Sequence, residues 1–312
     1  MSAMCAVFNI YKVYGLKIRS EILISELPII SNLEDECFDA TISYGKVLEE
    51  IKDAICKNEV IQISKNEFIL RVRGVANYYV ANGNSIIVEP EAESNMEDVK
   101  LFLLGTSLGV MLMQRNTIAI HGGTIVVNGK GIIISGHTGV GKSTLISAFR
   151  EKGCFFLADD VSAVENTPDG KIIIHPSYPQ QKLCRDAMES MSYDINKYIK
   201  VDPIRDKYAI YSDEKFLYSP VKFSAIYEIN IGKSNKVEIS EVSGSKKMII
   251  LLRNIYRIEL CKYIGFNPQY FKYCMNIASN VRIYEITRPK SVFSVDDQIR
   301  LIENTLKVID GG

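Results

Sequence analysis

Residues Gly136-His137-Thr138-Gly139-Val140-Gly141-Lys142-Ser143 fit the spacing G-x-x-x-x-G-K-[ST] at every fixed position. Glycines at these places let backbone N–H groups turn inward around phosphate oxygens. The start of a following helix adds a partial positive charge. In such a loop Lys142 would reach the β- and γ-phosphates of a nucleotide, and Ser143 would ligate Mg²⁺. Gly136, His137, Thr138, Gly139, Val140, Gly141, Lys142, Ser143 and Thr144 are therefore the expected nucleotide contacts. The flanks agree with the motif. Gly131 to Ser135 is an apolar run that predicts a strand, and Thr144 to Arg150 predicts a helix start.

A nucleotide site of this kind needs a carboxylate to hold the metal. The apolar run Cys154 to Ala158 predicts a buried strand, and it ends at Asp159-Asp160. Adjacent acids permit a division of labour, with one on the metal and one accepting the proton of an attacking hydroxyl. The plainer alternative is one metal ligand and one turn cap. His121, His137 and His175 all lie in the same stretch of chain. His121 could orient Asp159 or balance its charge, or serve as a structural hydrogen-bonder. His137 could meet phosphate or simply face solvent.

Other phosphate-loop classes carry marks that this chain lacks. Asn196-Lys197-Tyr198-Ile199 has no acid where a guanine-reading motif needs one. No Leu-Ser-Gly-Gly-Gln-like segment of transporter ATPases occurs, nor the His-Arg-Asp and Asp-Phe-Gly pair of protein kinases.

The elements that must position these groups follow from hydrophobic patterning. Residues 1–93 are β-rich. Strands are predicted at Phe8 to Tyr14, Val60 to Ser64, Glu67 to Val72, Val75 to Val80 and Ser85 to Val88, with Asn82-Gly83 as a hairpin turn. A buried helix is predicted over about 95–115, opened by a Ser94-x-x-Glu97 capping box. Strands follow at Thr117 to His121 and Thr124 to Val127, and a hairpin at Val161 to Glu165 and Lys171 to His175. The rest predicts strands at 223–231, 236–241 and 280–287 and helices at 245–260, 268–279 and 294–308. We expect a β-rich N-terminal region, 1–93, to recognise a substrate or complete an interface, and an ATP-binding catalytic domain over 94–312.

Composition bounds the partners. The chain has 312 residues, with 37 Lys+Arg against 37 Asp+Glu, so its charge offers no argument for nucleic acid or an acidic membrane. The cysteines, at positions 5, 37, 56, 154, 184, 261 and 274, show no C-x-x-C spacing, which suits free thiols in a reducing compartment. No basic segment followed by an apolar core marks the N-terminus, and Leu101 to Met113 is too short to span a bilayer. A cytoplasmic protein is expected, with self-association into a homo-oligomer left open.

Ile120-His121-Gly122, the loop Gly136 to Ser143, and Leu157-Ala158-Asp159-Asp160-Val161 resemble, in order and separation, the core of bacterial HPr kinase/phosphorylase. That family shares a catalytic core with phosphoenolpyruvate carboxykinase. The resemblance is specific over about residues 117–165. It implies a mixed α/β (α+β) fold with a phosphate-loop core of the HPr kinase C-terminal type. It also implies Asp159 as catalytic base, His121 paired with it, Asp160 and Ser143 as magnesium ligands, and Lys142 on phosphate. The family's glutamate in a glycine-rich signature has no counterpart in His175 to Leu183, and residues 1–93 do not resemble its regulatory domain. Tyr178-Pro179-x-x-x-Leu183 and Lys200 to Tyr208 are similar to a divergent branch of HPr-kinase-like serine kinases, several of which act on precursors of lasso peptides. In the second segment Arg205 and Lys207 could lie near phosphates or a substrate carboxylate, or form a solvated basic face. The resemblance thus implies a kinase using ATP and Mg²⁺ on a serine of a peptide or protein. Free serine, HPr and a non-catalytic nucleotide-binding module are the alternatives.

Overall fold

The computed structural model describes residues 8–30, 37–202, 206–265, 267–290 and 292–310. Cys5 and Arg205 lie outside them. The chain is mixed α/β and divides into two compact units, Met1–Ala119 with Arg257–Phe271, and Ile120–Tyr256 with Lys272–Gly312.

The first unit holds strands β1 (Asn9–Val13), β2 (Leu16–Ser20), β3 (Ala40–Tyr44), β4 (Cys56–Lys57), β5 (Ile61–Ile63), β6 (Glu67–Val72), β7 (Ala76–Ala81) and β8 (Ser85–Pro90). They form one sheet in the order β1-β2-β3-β8-β7-β6-β5-β4. Asn82 and Gly83, with φ of 54° and 67°, make the tight turn between β7 and β8. Helices α1 (Met96–Phe102) and α2 (Leu108–Gln114) follow, joined by a π-helical turn over Leu103–Ser107. The cap differs from expectation, since Asn95 rather than Ser94 accepts the N–H of Glu97, at 3.0 Å.

A boundary at residue 93 separates this helical segment from a sheet it is fastened to. Tyr78 donates its hydroxyl to Val99 O at 2.9 Å, and its ring centroid lies 6.4 Å from that of Phe102. Gln114 Nε2 donates to Val80 O at 3.3 Å. Residues 94–119 accordingly group with the first unit.

The rest of the chain contributes β9 (Ile118–Val127), β10 (Lys130–Gly136), α3 (Lys142–Glu151), β11 (Phe155–Ala158), β12 (Val161–Asn166) and β13 (Ile172–His175). Next come β14 (Gln180–Cys184), α4 (Arg185–Ser190), β15 (Ile199–Asp202), β16 (Lys207–Tyr211), β17 (Val221–Gly232) and β18 (Glu238–Glu241). Helices α5 (Ser245–Arg253), α6 (Ile258–Ile264) and α7 (Pro268–Asn280), strand β19 (Arg282–Pro289) and helix α8 (Val295–Asp310) complete it. The helix expected over 245–260 is broken between α5 and α6, where Arg257 takes a φ of 55°.

Where two strands were expected around His121, β9 runs unbroken. Gly122 and Gly123 make that continuity possible. A Cβ on Gly122 would stand 2.5 Å from Ile134 O, and one on Gly123 would stand 2.5 Å from Asp159 O. The glycines let β9 lie close against β10 on one side and the Asp159-Asp160 segment on the other.

The main sheet of the second unit has the order β10-β9-β12-β13-β17-β19-β18, with β11 on β9 and a further pairing of β10 with β17. Strand β17 is long enough to pair with β13 at Val221 and Lys222 and with β10 from Phe223 to Ile229. It runs parallel to both β10 and β19, so the C-terminal ends of these three strands lie on one side. That edge is the usual place for a ligand in an α/β sheet. One apolar core holds the arrangement, with Ile132 and Ile134 of β10, Leu145 and Phe149 of α3, and Ile299 and Ile302 of α8. A small separate sheet, β14-β16-β15, and α4 enclose a minor core around Leu183, Met188 and Tyr208.

Candidate functional site

Strand β10 ends at Gly136 and α3 begins at Lys142, so strand, loop and helix follow one another as the motif requires. Gly141 caps α3 with a φ of 97°, a left-handed conformation that side-chain-bearing residues rarely adopt. Lys142 folds back over the loop, its Nζ donating to Gly136 O at 2.7 Å and to His137 O at 3.1 Å. Burial, helped by Lys207 and opposed by Asp160, holds its ammonium below the ordinary lysine pKa.

A cavity of about 540 Å³ opens beside the loop, with walls wholly from the second unit. Thr138, Gly139, Gly141, Lys142, Ser143 and Thr144 form one wall. Gly136 and Val140 are buried and His137 is exposed, so these expected contacts shape the loop without lining the cavity. His121 and Asp160 form a second side, and Lys207, Asp186 and Ala187 come from the small β14–β16 sheet and α4. Arg288, Lys290, Phe293 and Gln298 close it from the end of β19 and the start of α8.

The electrostatic balance of this cavity is positive. Lys142, Lys207, Arg288 and Lys290 line it against Asp160 and Asp186, and no ion pair joins these four cations to an acid among the described residues. Arg288 is fixed by its Nε on Val140 O and its Nη1 on Pro289 O, both at 2.8 Å. Fixed cations beside a glycine-rich loop suit a polyanion.

The two adjacent acids part company. Asp160 is 54% exposed and lines the cavity, with its Oδ1 3.5 Å from His121 Nδ1. Asp159 is buried. Its Oδ2 accepts from Lys182 N at 2.9 Å, and its Oδ1 has no hydrogen-bond partner. Burial, and next the charge of Asp160, push its carboxyl up to about 6. His121 Nδ1 thus stands beside Asp160, where the family resemblance implied Asp159. His121 is itself held by its N–H on Asn254 O at 2.7 Å and lies beside the Tyr256 ring, 6.0 Å between centroids. His175 stands apart, paired with Glu165 at 2.5 Å and absent from the cavity lining.

Strand β14 ties the site together. The buried Gln181 accepts from Ser147 Oγ at 2.9 Å and Arg150 Nη1 at 2.5 Å, and donates to Ser143 O at 2.8 Å. The next residue, Lys182, supplies the N–H that holds Asp159.

No family model matches the chain, and no curated protein matches its sequence. Among solved structures the chain is similar to the Hpr(Ser) kinase/phosphatase from Coxiella burnetii. That likeness spans 62% of this chain and 99% of the other, at 12% identity and a TM-score of 0.32. The site rests on its own residues.

Several of those residues escape a reading of the sequence. Gln181, Arg288, Lys290 and Gln298 belong to no motif. The one usable signal was Arg288-Pro289-Lys290, a basic pair directly after a predicted strand. Lys207, singled out with Arg205, does line the cavity. Among the described residues no group of three His, Cys, Asp or Glu stands ready for a metal. A hard cation held by Ser143 would find two carboxylates lining the same cavity, Asp160 and Asp186. This is the small protein share that magnesium takes when phosphates supply the other oxygens. No described helix is long and apolar enough to cross a membrane.

Proposed function

We propose that this chain is an ATP- and magnesium-dependent kinase acting on an aliphatic hydroxyl, the serine of a peptide or protein. The observation that carries this reading is one cavity lined at once by the glycine-rich loop with Lys142 and Ser143, by further cations, and by the His121–Asp160 pair. A triphosphate would lie along the loop, with Lys142 leaving the loop carbonyls to meet phosphate oxygens. Ser143 would help hold magnesium, which supplies charge neutralisation at the phosphates. Arg288, Lys290 and Lys207 would neutralise the rest of the polyanion.

The acceptor hydroxyl is a weak nucleophile, and an oriented carboxylate beside it is the main assistance a protein can provide. Of the two adjacent acids Asp160 is the one that lines the cavity, and His121 would steady it. Asp159, turned inward, would set the position of the Asp159-Asp160 segment through Lys182. This assignment moves the base from Asp159 to Asp160.

Mass spectrometry of candidate acceptors after incubation with MgATP tests the reading. The set is serine-containing peptides, HPr and free serine. Phosphate gained on a peptide or protein serine, and lost with Asp160→Asn, is the expected result. Phosphate on free serine alone would replace the acceptor class. Bound ATP with no transfer to any acceptor of the set would favour a binding module.

A further inference from the structure

The proposed donor site leaves one end of the cavity without a role. Val292 and Phe293, which line it between β19 and α8, are 52% and 61% exposed. Gln298, in the first turns of α8, lines the same end and is 2% exposed. Its Nε2 faces Ser294, 3.4 Å from the carbonyl oxygen and 3.3 Å from Oγ. A backbone carbonyl can only accept, so the amide NH₂ belongs on that side and Oε1 on the other. Oε1 is buried and has no hydrogen-bond partner. An orphan acceptor beside an apolar wall is costly unless a ligand donor meets it.

We propose that this end is a nucleobase subsite that selects adenine. Phe293 offers an aromatic face for stacking, and Gln298 Oε1 accepts a hydrogen bond from the exocyclic amino group of the base. The inference rests on the loop being the triphosphate site. The charges fit that orientation. Lys142 and Arg288 mark the phosphate end, whereas Asp296 and Asp297 in the first turn of α8 would repel a phosphate placed there. A 6-oxopurine presents an acceptor where adenine presents a donor, so it would face Oε1 acceptor to acceptor.

Titration calorimetry with the magnesium complexes of ADP and IDP, and with inorganic tripolyphosphate, tests the subsite. We expect wild type to prefer ADP by about tenfold, and Gln298→Met, of similar volume without the acceptor, to abolish that preference. Phe293→Ala should weaken both nucleotides about tenfold and leave tripolyphosphate unchanged, with Phe293→Tyr restoring affinity. Equal affinity of wild type for ADP and IDP overturns the role of Gln298. Phe293→Ala affinities that are unchanged, or reduced as much for tripolyphosphate, overturn the stacking role. Wild type that binds none of the three probes overturns the donor-site reading itself, and this inference with it.

Discussion

His121 Nδ1 stands 3.5 Å from Asp160 Oδ1, while Asp159, the preceding residue, turns its Oδ2 away to the N–H of Lys182. Both acids lie in the bend that follows β11, where the chain leaves the sheet, and their carboxylates part there. One reaches the cavity with its cations, and the other is held by β14.

That separation predicts different outcomes for the two amide variants. Asp160→Asn should lower turnover on the order of 10²–10⁴-fold while nucleotide affinity changes little. Phosphate incorporation and a nucleotide titration on the same preparation measure both. A fully active Asp160→Asn with an inactive Asp159→Asn would return the base to Asp159.

Lys142→Ala should reduce nucleotide affinity by at least about tenfold, because it removes the cation nearest the loop carbonyls. Stability should hold, since the lysine satisfies only its own loop. Calorimetric titration beside a thermal melt separates the two effects.

Gln181→Met should destabilise the second unit by about 2 kcal/mol, because it strips buried partners from Ser147, Arg150 and the Ser143 carbonyl together. Thermal melting reads the loss. A wild-type melt would mean that the network is replaced by solvent at little cost.

The Asp159 carboxyl titrates near 6 in the fold against an ordinary value of 3.8. Between those values the native protein keeps a proton that the unfolded chain has released. Stability therefore falls as pH rises from about 4 to 6, by about 3 kcal/mol, and the deficit persists above. Asp159→Asn removes the charge yet keeps an oxygen for the Lys182 N–H. It should melt above wild type at pH 7.5 and close to it at pH 4. The same difference at both values would show that the buried charge is not its source.

Local elements were largely legible where local rules decide them. Asn82-Gly83 takes positive φ at both residues because an asparagine-glycine hairpin favours it. Gly153, with a φ of 93°, ends α3 because a helix commonly closes on a left-handed glycine just past its cap. Elements that depend on distant partners were not legible. Strand β14 reads as a polar stretch, and becomes a strand only by pairing with β16, where Leu183 faces Tyr208. The continuous β9 was hidden because glycines usually interrupt a strand, and here they serve close packing instead.

By itself the sequence determined the loop of 136–143, the strand and helix that carry it, and the pair of acids after the next strand. These rest on spacing within short stretches, where backbone conformation and periodicity act residue by residue. Only the tertiary structure decided which acid faces the cavity, that Arg288 and Gln298 line it from remote parts of the chain, and that Gln181 braces the loop helix at Ser143. The reason is that register between strands, and burial against a shared core, are set by contacts far apart in sequence. A one-residue difference in such a register exchanges the face that each side chain presents.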